Sequence, residues 1–303
     1  MKRVLITGGT GLIGSRLSVL LAEKGYDVAL LSRSRDKDKP YTTYHWDVKN
    51  GLLDDEAITT ADHIVHLAGA NIADGWWTDD RKKLILESRT KSAELLIKKL
   101  GQLDHQVKSV VSSSAIGYYG NRGETILTEE DAAGKGFLSE VCVAWERSIQ
   151  PVQQQHIRLA VLRTGIVMSS RGGALVQMER PLSLGIGAYL GDGKQFYSWI
   201  HIDDLCRMYI KAIEDDSMEG VYNAVAPNPV RNKELVETLE KVLDKAAITA
   251  PTPAILLRFL LGEMAHMVLD SDRVSAIKIE EKGFRFEFEW LEDALKDIYA
   301  RKV

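Results

Sequence analysis

This sequence contains few cysteines and has no large excess of either charge. The 303 residues include two cysteines, Cys142 and Cys206, and their spacing fits neither a metal site nor a disulfide framework. This scarcity favours a reducing cytoplasm as the protein's location. The formal net charge is −4 and the isoelectric point is near 6.0. Without a basic excess, neither nucleic acid nor an anionic membrane is expected as the main partner.

Long apolar runs are also missing. The longest apolar region, 255–269, is too short and too polar to cross a bilayer, because it contains Arg258, Glu263 and His266. It predicts a packed helix or a subunit contact. Residues 1–6 superficially resemble a signal peptide, but the polar and glycine residues 7–11 interrupt the apolar run too early. We interpret that run as the first strand and predict no membrane partner.

Glycines are concentrated near the amino terminus, between an apolar run at 4–6 and helical apolar spacing over 12–25. Gly9, Gly11 and Gly14 match G-x-G-x-x-G, which gives a tight turn, close approach of the backbone to a pyrophosphate, and close packing of helix on strand. The helix N-terminus presents N–H groups to the anion. A purely structural turn is the alternative. The pattern predicts a dinucleotide site formed by Gly8, Gly9, Thr10, Gly11, Leu12, Ile13 and Gly14.

Strand and helix patterns alternate through the first part of the chain. Further strands are predicted at 27–31, 42–48, 62–67, 107–111 and 159–162, and helices at 84–100 and 138–153. Such alternation calls for right-handed crossovers and a parallel sheet with helices on both faces. The predicted fold class is therefore α/β, a Rossmann-type doubly wound parallel sheet.

The alternation loosens after about residue 165, where glycines mark a looped region. We predict a nucleotide-binding domain over 1–168 with a returning strand near 221–226, and a smaller, mainly helical substrate-binding part over 169–303. Asp203 and Asp204 are expected to cap the N-terminus of a helix over 205–213, and 232–243 is expected to be helical.

Four motifs in order make the chain resemble an extended short-chain dehydrogenase/reductase. They are TGGTGLIG at 7–14, LAG at 67–69, SSS at 112–114 and WIHIDD at 199–204. The resemblance covers most of the chain. Three further motifs resemble the branch of that family that is similar to sugar-nucleotide epimerases: GYYG at 117–120, LRTGIV at 162–167 and LLGE at 260–263.

The resemblance implies a Rossmann core, a bound nicotinamide nucleotide and a substrate pocket roofed by the C-terminal part. It places Leu67, Ala68, Gly69 and Ile166 among the cofactor-binding residues. It also implies a small-molecule substrate and a homodimer formed through helices that flank the sheet.

The end of the second strand indicates which nucleotide is bound, because an acidic residue there favours NAD and an arginine accommodates a 2′-phosphate. Here the position holds Ser32 and Arg33, so we predict NADP. A solvated charged loop is the alternative. Asp47 is expected either to bond the adenine amino group or to cap its strand end. Arg89 is expected to face the cofactor or to form a surface salt bridge.

The standard reductase of this family uses a tyrosine, a lysine four residues later and a serine. None of the ten tyrosines has lysine at that spacing, and counting back from Glu146 places the pair at Leu138 and Cys142. Leucine cannot carry a proton, and a neutral cysteine does not lower a neighbour's pKa. The predicted catalytic residues are therefore Ser114, Tyr118 and Tyr119, with Glu140, Cys142 and His201 as further candidates and Trp76 and Trp77 able to stack on a ligand.

The sequence predicts an NADP-binding oxidoreductase or epimerase that acts on a small carbonyl or sugar-type compound. No metal site is predicted. The missing tyrosine and lysine support an alternative from another class, a non-catalytic NADP-binding sensor or regulatory protein.

Overall fold

The computed structural model describes residues 1–34, 40–245 and 247–301. Its strands are β1 Arg3–Thr7, β2 Asp27–Ser32, β3 Thr42–Asp47, β4 Leu52–Leu53, β5 His63–His66, β6 Ser109–Ala115, β7 Ile126–Leu127, β8 Arg158–Thr164, β9 Ile166–Met168, β10 Ile186–Leu190, β11 Phe196–Tyr197, β12 Trp199–His201, β13 Gly220–Ala224, β14 Val230–Arg231, β15 Ile248–Thr252 and β16 Arg273–Val274.

The α-helices lie between these strands and after them. They are α1 Leu12–Glu23, α2 Asp55–Thr59, α3 Asp79–Leu100, α4 Phe137–Ile149, α5 Ala174–Leu182, α6 Ile202–Glu214, α7 Asn232–Val242, α8 Ala254–Leu261, α9 His266–Leu269, α10 Ile277–Glu281 and α11 Leu291–Ala300. The predicted helix at 138–153 is an α-helix to Ile149 and continues as a 3₁₀ helix, Gln150–Gln155.

One eight-stranded sheet forms the centre of the molecule, in the order β13-β8-β6-β5-β1-β2-β3-β4. All neighbouring pairs in it are parallel except β3 and β4. The strand order reverses between β1 and β5, so the carboxyl ends of these two strands meet at the point where ligands bind in open α/β sheets. The predicted doubly wound parallel sheet is confirmed.

Apolar residues bury both faces of the sheet. One core lies between the sheet and α1 and α6, with Leu17, Leu21 and Leu205 fully buried. The second core lies under α2, α3 and α4, and it includes Ile58 and Leu96. Because both faces are covered, the central strands β1, β2, β5, β6 and β8 are buried almost continuously along their length, as the first strand of the sequence indicated.

The C-terminal part adds short strand pairs to its helices. β9 pairs with β12, β10 with β15, β11 with β14, and β16 with β7. A third core, shared by α5, α7 and α11, contains Leu175, Leu235 and Leu295. No helix among the described residues has both the length and the apolar character needed to cross a membrane.

Two local predictions need correction. The serines at 112–114 lie within β6, which pairs with β8 as far as Ala115, because small side chains fit a strand buried on both faces. The N-cap of α6 is His201, whose Nδ1 accepts a hydrogen bond from the backbone N–H of Asp203 at 3.1 Å. Asp203 and Asp204 lie in the first turn, where carboxylates favour the positive end of the helix dipole.

Candidate functional site

The glycine turn joins β1 to the N-terminus of α1. Gly8 has a φ of +69°, and the N–H of Gly11 donates to the Gly8 carbonyl at 3.0 Å. A Cβ on Gly14 would lie 2.4 Å from the Gly8 oxygen, and one on Gly9 would lie 2.5 Å from Leu30 Cδ2. Closure of the turn therefore requires Gly14, whereas a side chain on Gly9 would have to displace the Leu30 side chain.

The outer part of this turn is accessible. Thr10 and Gly11 are exposed, and Leu12 and Ile13 are half-buried in the first turn of α1. Gly11 has an ordinary φ of −78°, and a Cβ there would meet only the Gly8 oxygen, at 3.3 Å. Among the three motif glycines, Gly11 is therefore the one whose missing side chain leaves open space over the helix N-terminus.

The end of β5 borders the turn through a side chain that the sequence analysis missed. Thr7 Oγ1 accepts from the N–H groups of Leu67 and Ala68, both at 3.0 Å. Its hydroxyl also lies 2.9 Å from His66 Nδ1. Because His66 is fully buried, its pKa is lowered to about 4, and the neutral ring stays in this network at neutral pH. Thr7 thus fixes the two predicted cofactor-binding residues beside the glycines.

The residues predicted to contact the adenosine half lie at neighbouring strand ends. Ser32 ends β2 and is half-buried, and Arg33, which follows it, is exposed. Asp47 ends β3 and accepts from Asn50 Nδ2 at 2.6 Å and from the backbone N–H groups of Lys49 and Asn50, at 3.0 and 3.2 Å. These bonds, first the one from the Asn50 side chain, lower the pKa of Asp47. The geometry supports the capping role of Asp47, and its contact with adenine stays a prediction.

Arg89 points inward from α3, and no carboxylate in the described part of the chain forms with it the surface salt bridge considered above. Its Nη1 donates to the carbonyls of Ala70 at 3.1 Å and Ile85 at 2.9 Å, and its guanidinium lies 4.9 Å from the Trp145 ring centroid. Burial lowers its pKa. Gly69 gives it room, because a Cβ there would lie 3.0 Å from Arg89 Cζ.

A buried ion pair lies behind Ser114. Arg163 on β8 donates from Nε and Nη2 to the two carboxylate oxygens of Glu146 on α4, at 2.8 and 2.9 Å. The side chains are 4% and 12% exposed, which makes this a bidentate pair removed from water. Ser114 Oγ donates to Glu146 Oε1 at 2.7 Å. The predicted catalytic serine is therefore hydrogen-bonded directly to the carboxylate of this ion pair.

The two neighbouring tyrosines have different environments. Tyr119 is fully buried, donates to Asn223 Oδ1 at 2.6 Å and accepts from Arg163 Nη1 at 3.0 Å. Burial raises its pKa to about 12. Tyr118 is half-buried, with its ring centroid 3.4 Å from Arg163 Cζ, and its hydroxyl has no hydrogen-bond partner in the described part of the chain. This arrangement favours a structural role for Tyr119 and leaves Tyr118 as the tyrosine able to reach a substrate.

The positions expected for the standard pair hold groups that do not ionise there. Leu138 lies in the first turn of α4 against Gly117, whose Cβ, if present, would be 3.4 Å from Leu138 Cβ. Cys142 is buried one turn later, and burial raises the pKa of its thiol to about 12. The thiol therefore stays neutral, as the sequence analysis expected.

The remaining candidate site residues are His201, Glu140, Trp76, Trp77 and Ile166. His201 is buried as the α6 cap, and burial lowers its pKa to about 4. Glu140 is exposed on α4. Trp77 packs edge-on against Phe137 with ring centroids 4.9 Å apart, whereas Trp76 is 61% exposed. Ile166 begins β9, which pairs with β12.

The sequence analysis did not identify Glu146 and Arg163 as a buried ion pair. A signal was available, because an arginine at the end of the apolar run 159–162 needs a buried anion. The partner could not be named, since it lies 17 residues earlier on a helix. No group of three or more potential metal ligands occurs among the residues that the structure describes.

Comparison with known proteins agrees with this geometry. The profile of the NAD-dependent epimerase/dehydratase family matches residues 4–224, and a domain of unknown function, DUF1731, matches residues 252–298. An epimerase family protein of Mycobacterium bovis is 35% identical over 297 residues, which cover 96% of each chain. A chloroplastic SDR39U1 homolog of Arabidopsis thaliana is 33% identical over 97% of this chain and 86% of its own.

Solved structures give the same result for the fold. The human epimerase family protein SDR39U1, crystallised with NADPH, superposes with a TM-score of 0.89 at 32% identity, covering 98% of this chain and 99% of its own. A Thermus thermophilus UDP-glucose 4-epimerase in complex with NAD has a TM-score of 0.77 at 20% identity, covering 99% and 100%. This second likeness shows a shared fold. The chain belongs to the NAD-dependent epimerase/dehydratase family, and its relatives include the SDR39U1-like epimerase family proteins.

Proposed function

We propose that this protein is an NADP-dependent oxidoreductase or epimerase that acts on a small carbonyl or sugar-type compound. The observation that carries the proposal is the open glycine turn at the switch point of the sheet, with the Ser114–Glu146–Arg163 cluster behind the neighbouring strand β6. The human relative crystallised with NADPH supports the choice of nucleotide. When bound, the nicotinamide ring supplies or accepts a hydride.

The preference for NADP rests on Arg33. It is exposed beside Ser32 at the end of β2, and no carboxylate of the described chain pairs with it. A planar guanidinium can bind a 2′-phosphate with two parallel hydrogen bonds. Replacing Arg33 with Ala should narrow the affinity difference between NADPH and NADH by about 1.5–3 kcal/mol, the range for hydrogen bonds to charged groups. Calorimetry with both nucleotides measures it, and an unchanged difference would remove Arg33 from the site.

Proton transfer is assigned to Ser114 and Tyr118. The Ser114 hydroxyl donates to Glu146, so its oxygen keeps a lone pair for a hydrogen bond from a substrate hydroxyl. Because Ser114 is only 1% exposed, a substrate reaches that oxygen only when the residues that cover it move. Glu146 also accepts from Arg163, so it orients Ser114 while remaining paired. Tyr118 offers a hydroxyl that no described residue engages. Without a lysine beside it, we expect slow turnover of common aldehydes and ketones at neutral pH.

A substrate panel with NADPH tests this chemistry. Ser114→Ala and Tyr118→Phe should each lower any activity found by about 10²- to 10⁴-fold. Tyr119→Phe is the matched control, since its hydroxyl lies in the buried network, and it should reduce stability more than turnover. Robust turnover that survives both Ser114→Ala and Tyr118→Phe would place the chemistry elsewhere.

The alternative is a non-catalytic NADP-binding sensor or regulator. It is favoured by one observation: Ser114 and Tyr119, two of the three predicted catalytic residues, already have protein partners in a closed network. Tight NADPH binding with no turnover across the panel would favour this alternative.

A further inference from the structure

Arg89 is a half-buried cation without an anionic partner among the described residues. It forms no ion pair within 1–34, 40–245 and 247–301, and in these ranges its side chain donates only from Nη1, to the carbonyls of Ala70 and Ile85. Nε and Nη2 have no partner in the same ranges. Neither of these two nitrogens is fully buried, so both are available to donate hydrogen bonds to a bound ligand.

The surrounding residues are arranged to hold this side chain. The missing Cβ of Gly69 leaves the space that the guanidinium fills, since a Cβ would lie 3.2 Å from Nη2. Ser88, the preceding residue on α3, accepts from the backbone N–H of Ala70 at 2.9 Å. Both backbone polar groups of Ala70 are thus bonded to neighbouring residues of α3. The guanidinium is thereby fixed at the carboxyl end of β5, beside the glycine turn.

The same guanidinium lies next to the place of the missing lysine. It stacks on Trp145, which is three residues after Cys142 on α4, and helices α3 and α4 pack against each other. The Cys142 thiol in turn lies at the end of β6, beside Ser114 and Ala115. In this protein the positive group near Ser114 therefore comes from α3. In the standard reductase of the family it would be a lysine at the position of Cys142 on α4.

We propose that Arg89 supplies the fixed positive charge facing the nicotinamide half of bound NADP, in place of a lysine at position 142. Its Nε and Nη2 groups would donate to the hydroxyls of the nicotinamide ribose. An arginine keeps its proton at any physiological pH, so Arg89 orients the nucleotide and stabilises negative charge without acting as an acid. This inference rests on the proposed function, since it requires that a nicotinamide nucleotide be bound.

Calorimetry with two probes tests the assignment. NADPH carries the nicotinamide ribose, whereas adenosine 2′,5′-bisphosphate lacks it and occupies only the adenosine half. Arg89→Met keeps the length of the side chain and removes the charge. It should weaken NADPH binding about tenfold to 100-fold and leave the bisphosphate within about twofold. Adding Cys142→Lys to Arg89→Met should restore most of the NADPH affinity, a rescue that a merely structural role of Arg89 would not give.

Three outcomes overturn the assignment of Arg89. They are an equal loss of affinity for both probes, no loss of affinity for either probe, and a double variant that binds NADPH no better than Arg89→Met. If Arg89→Met does not fold, Arg89→Lys and Arg89→Gln replace it: the lysine variant should keep NADPH affinity and the glutamine variant should lose it, and equal affinities overturn the assignment. Failure of the unmodified protein to bind either probe counts against the proposed function itself.

Discussion

The glycine turn after β1 and the polar cluster behind Ser114 lie at the carboxyl ends of strands in one sheet, yet they are built in opposite ways. The turn is formed by one continuous stretch, 7–14, and the space above it is open because glycines have no side chains. The cluster brings together Ser114, Glu146 and Arg163 from β6, α4 and β8, and fills its space with paired polar groups.

That difference shows what each region contributes. An open turn at a helix N-terminus gains free energy when an anionic ligand binds to it. Glu146 and Arg163 have satisfied each other's hydrogen bonds, so the main contribution of this ion pair is to hold α4 and β8 together beneath the reaction site. Substitutions in the two regions should therefore separate ligand binding from stability.

The largest expected effect is loss of nucleotide binding on replacing Gly11 with Val. The φ of −78° suits a β-branched residue, and the nearest atom to the new Cβ is 3.3 Å away, so the chain should fold. The side chain would occupy the space of the pyrophosphate. Thermal melts with and without NADPH should show no ligand-induced shift for the variant.

Gly14→Val provides the contrasting variant. Its Cβ would lie 2.4 Å from the Gly8 oxygen, a backbone atom, so this substitution should lower the melting temperature even without nucleotide. A Gly11→Val protein that retains the NADPH shift would show that the nucleotide binds elsewhere.

The next largest effect should follow from breaking the buried pair. Glu146→Ala leaves the Arg163 guanidinium buried without its carboxylate and should lower the free energy of unfolding by about 3–5 kcal/mol. The double variant Glu146→Leu with Arg163→Met should recover most of that loss. Urea denaturation measures both.

The exposed pair Lys24–Glu214, with side chains 51% and 41% exposed, is the matched control. Glu214→Ala should cost at most about 1 kcal/mol. A Glu146→Ala variant no less stable than Glu214→Ala would contradict the structural role given to the cluster.

These two regions also explain how far the sequence could predict the structure. The turn was predictable because strand, glycines and helix are contiguous, and each signal is local. The full extent of β6 was not, since serines are weak strand formers and only burial between β5 and β8 places 112–114 in the sheet. The Glu146–Arg163 pair depends on how α4 packs over β8, which periodicity does not specify. His201 as the α6 cap was missed because the two aspartates that follow it are themselves good caps.

A smaller effect should appear as a dependence of stability on pH. Burial lowers the pKa values of His63, His66 and His201 to about 4, below the usual 6.5. Between these values the unfolded chain binds protons that the folded chain excludes, so the free energy of unfolding should fall as pH falls from 6.5 toward 4. One such histidine contributes up to about 1.4 kcal/mol per pH unit.

His66→Gln should reduce this slope, as measured by urea denaturation at pH 7.0, 6.0 and 5.0. His156→Asn is the control, because His156 is exposed with a φ of +60° that asparagine tolerates, and it should leave the slope unchanged. Parallel curves for the original and His66→Gln proteins would contradict the burial-driven shift.

The central claim is that the open turn and the end of β2 together form an NADP site. Calorimetric titration of the unmodified protein with NADPH and with NADH tests it most directly. We predict one bound nucleotide per chain and tighter binding of NADPH, because the residue directly after β2 is Arg33 and not an acidic residue. Equal affinities for the two nucleotides, or no binding of either, would contradict the account.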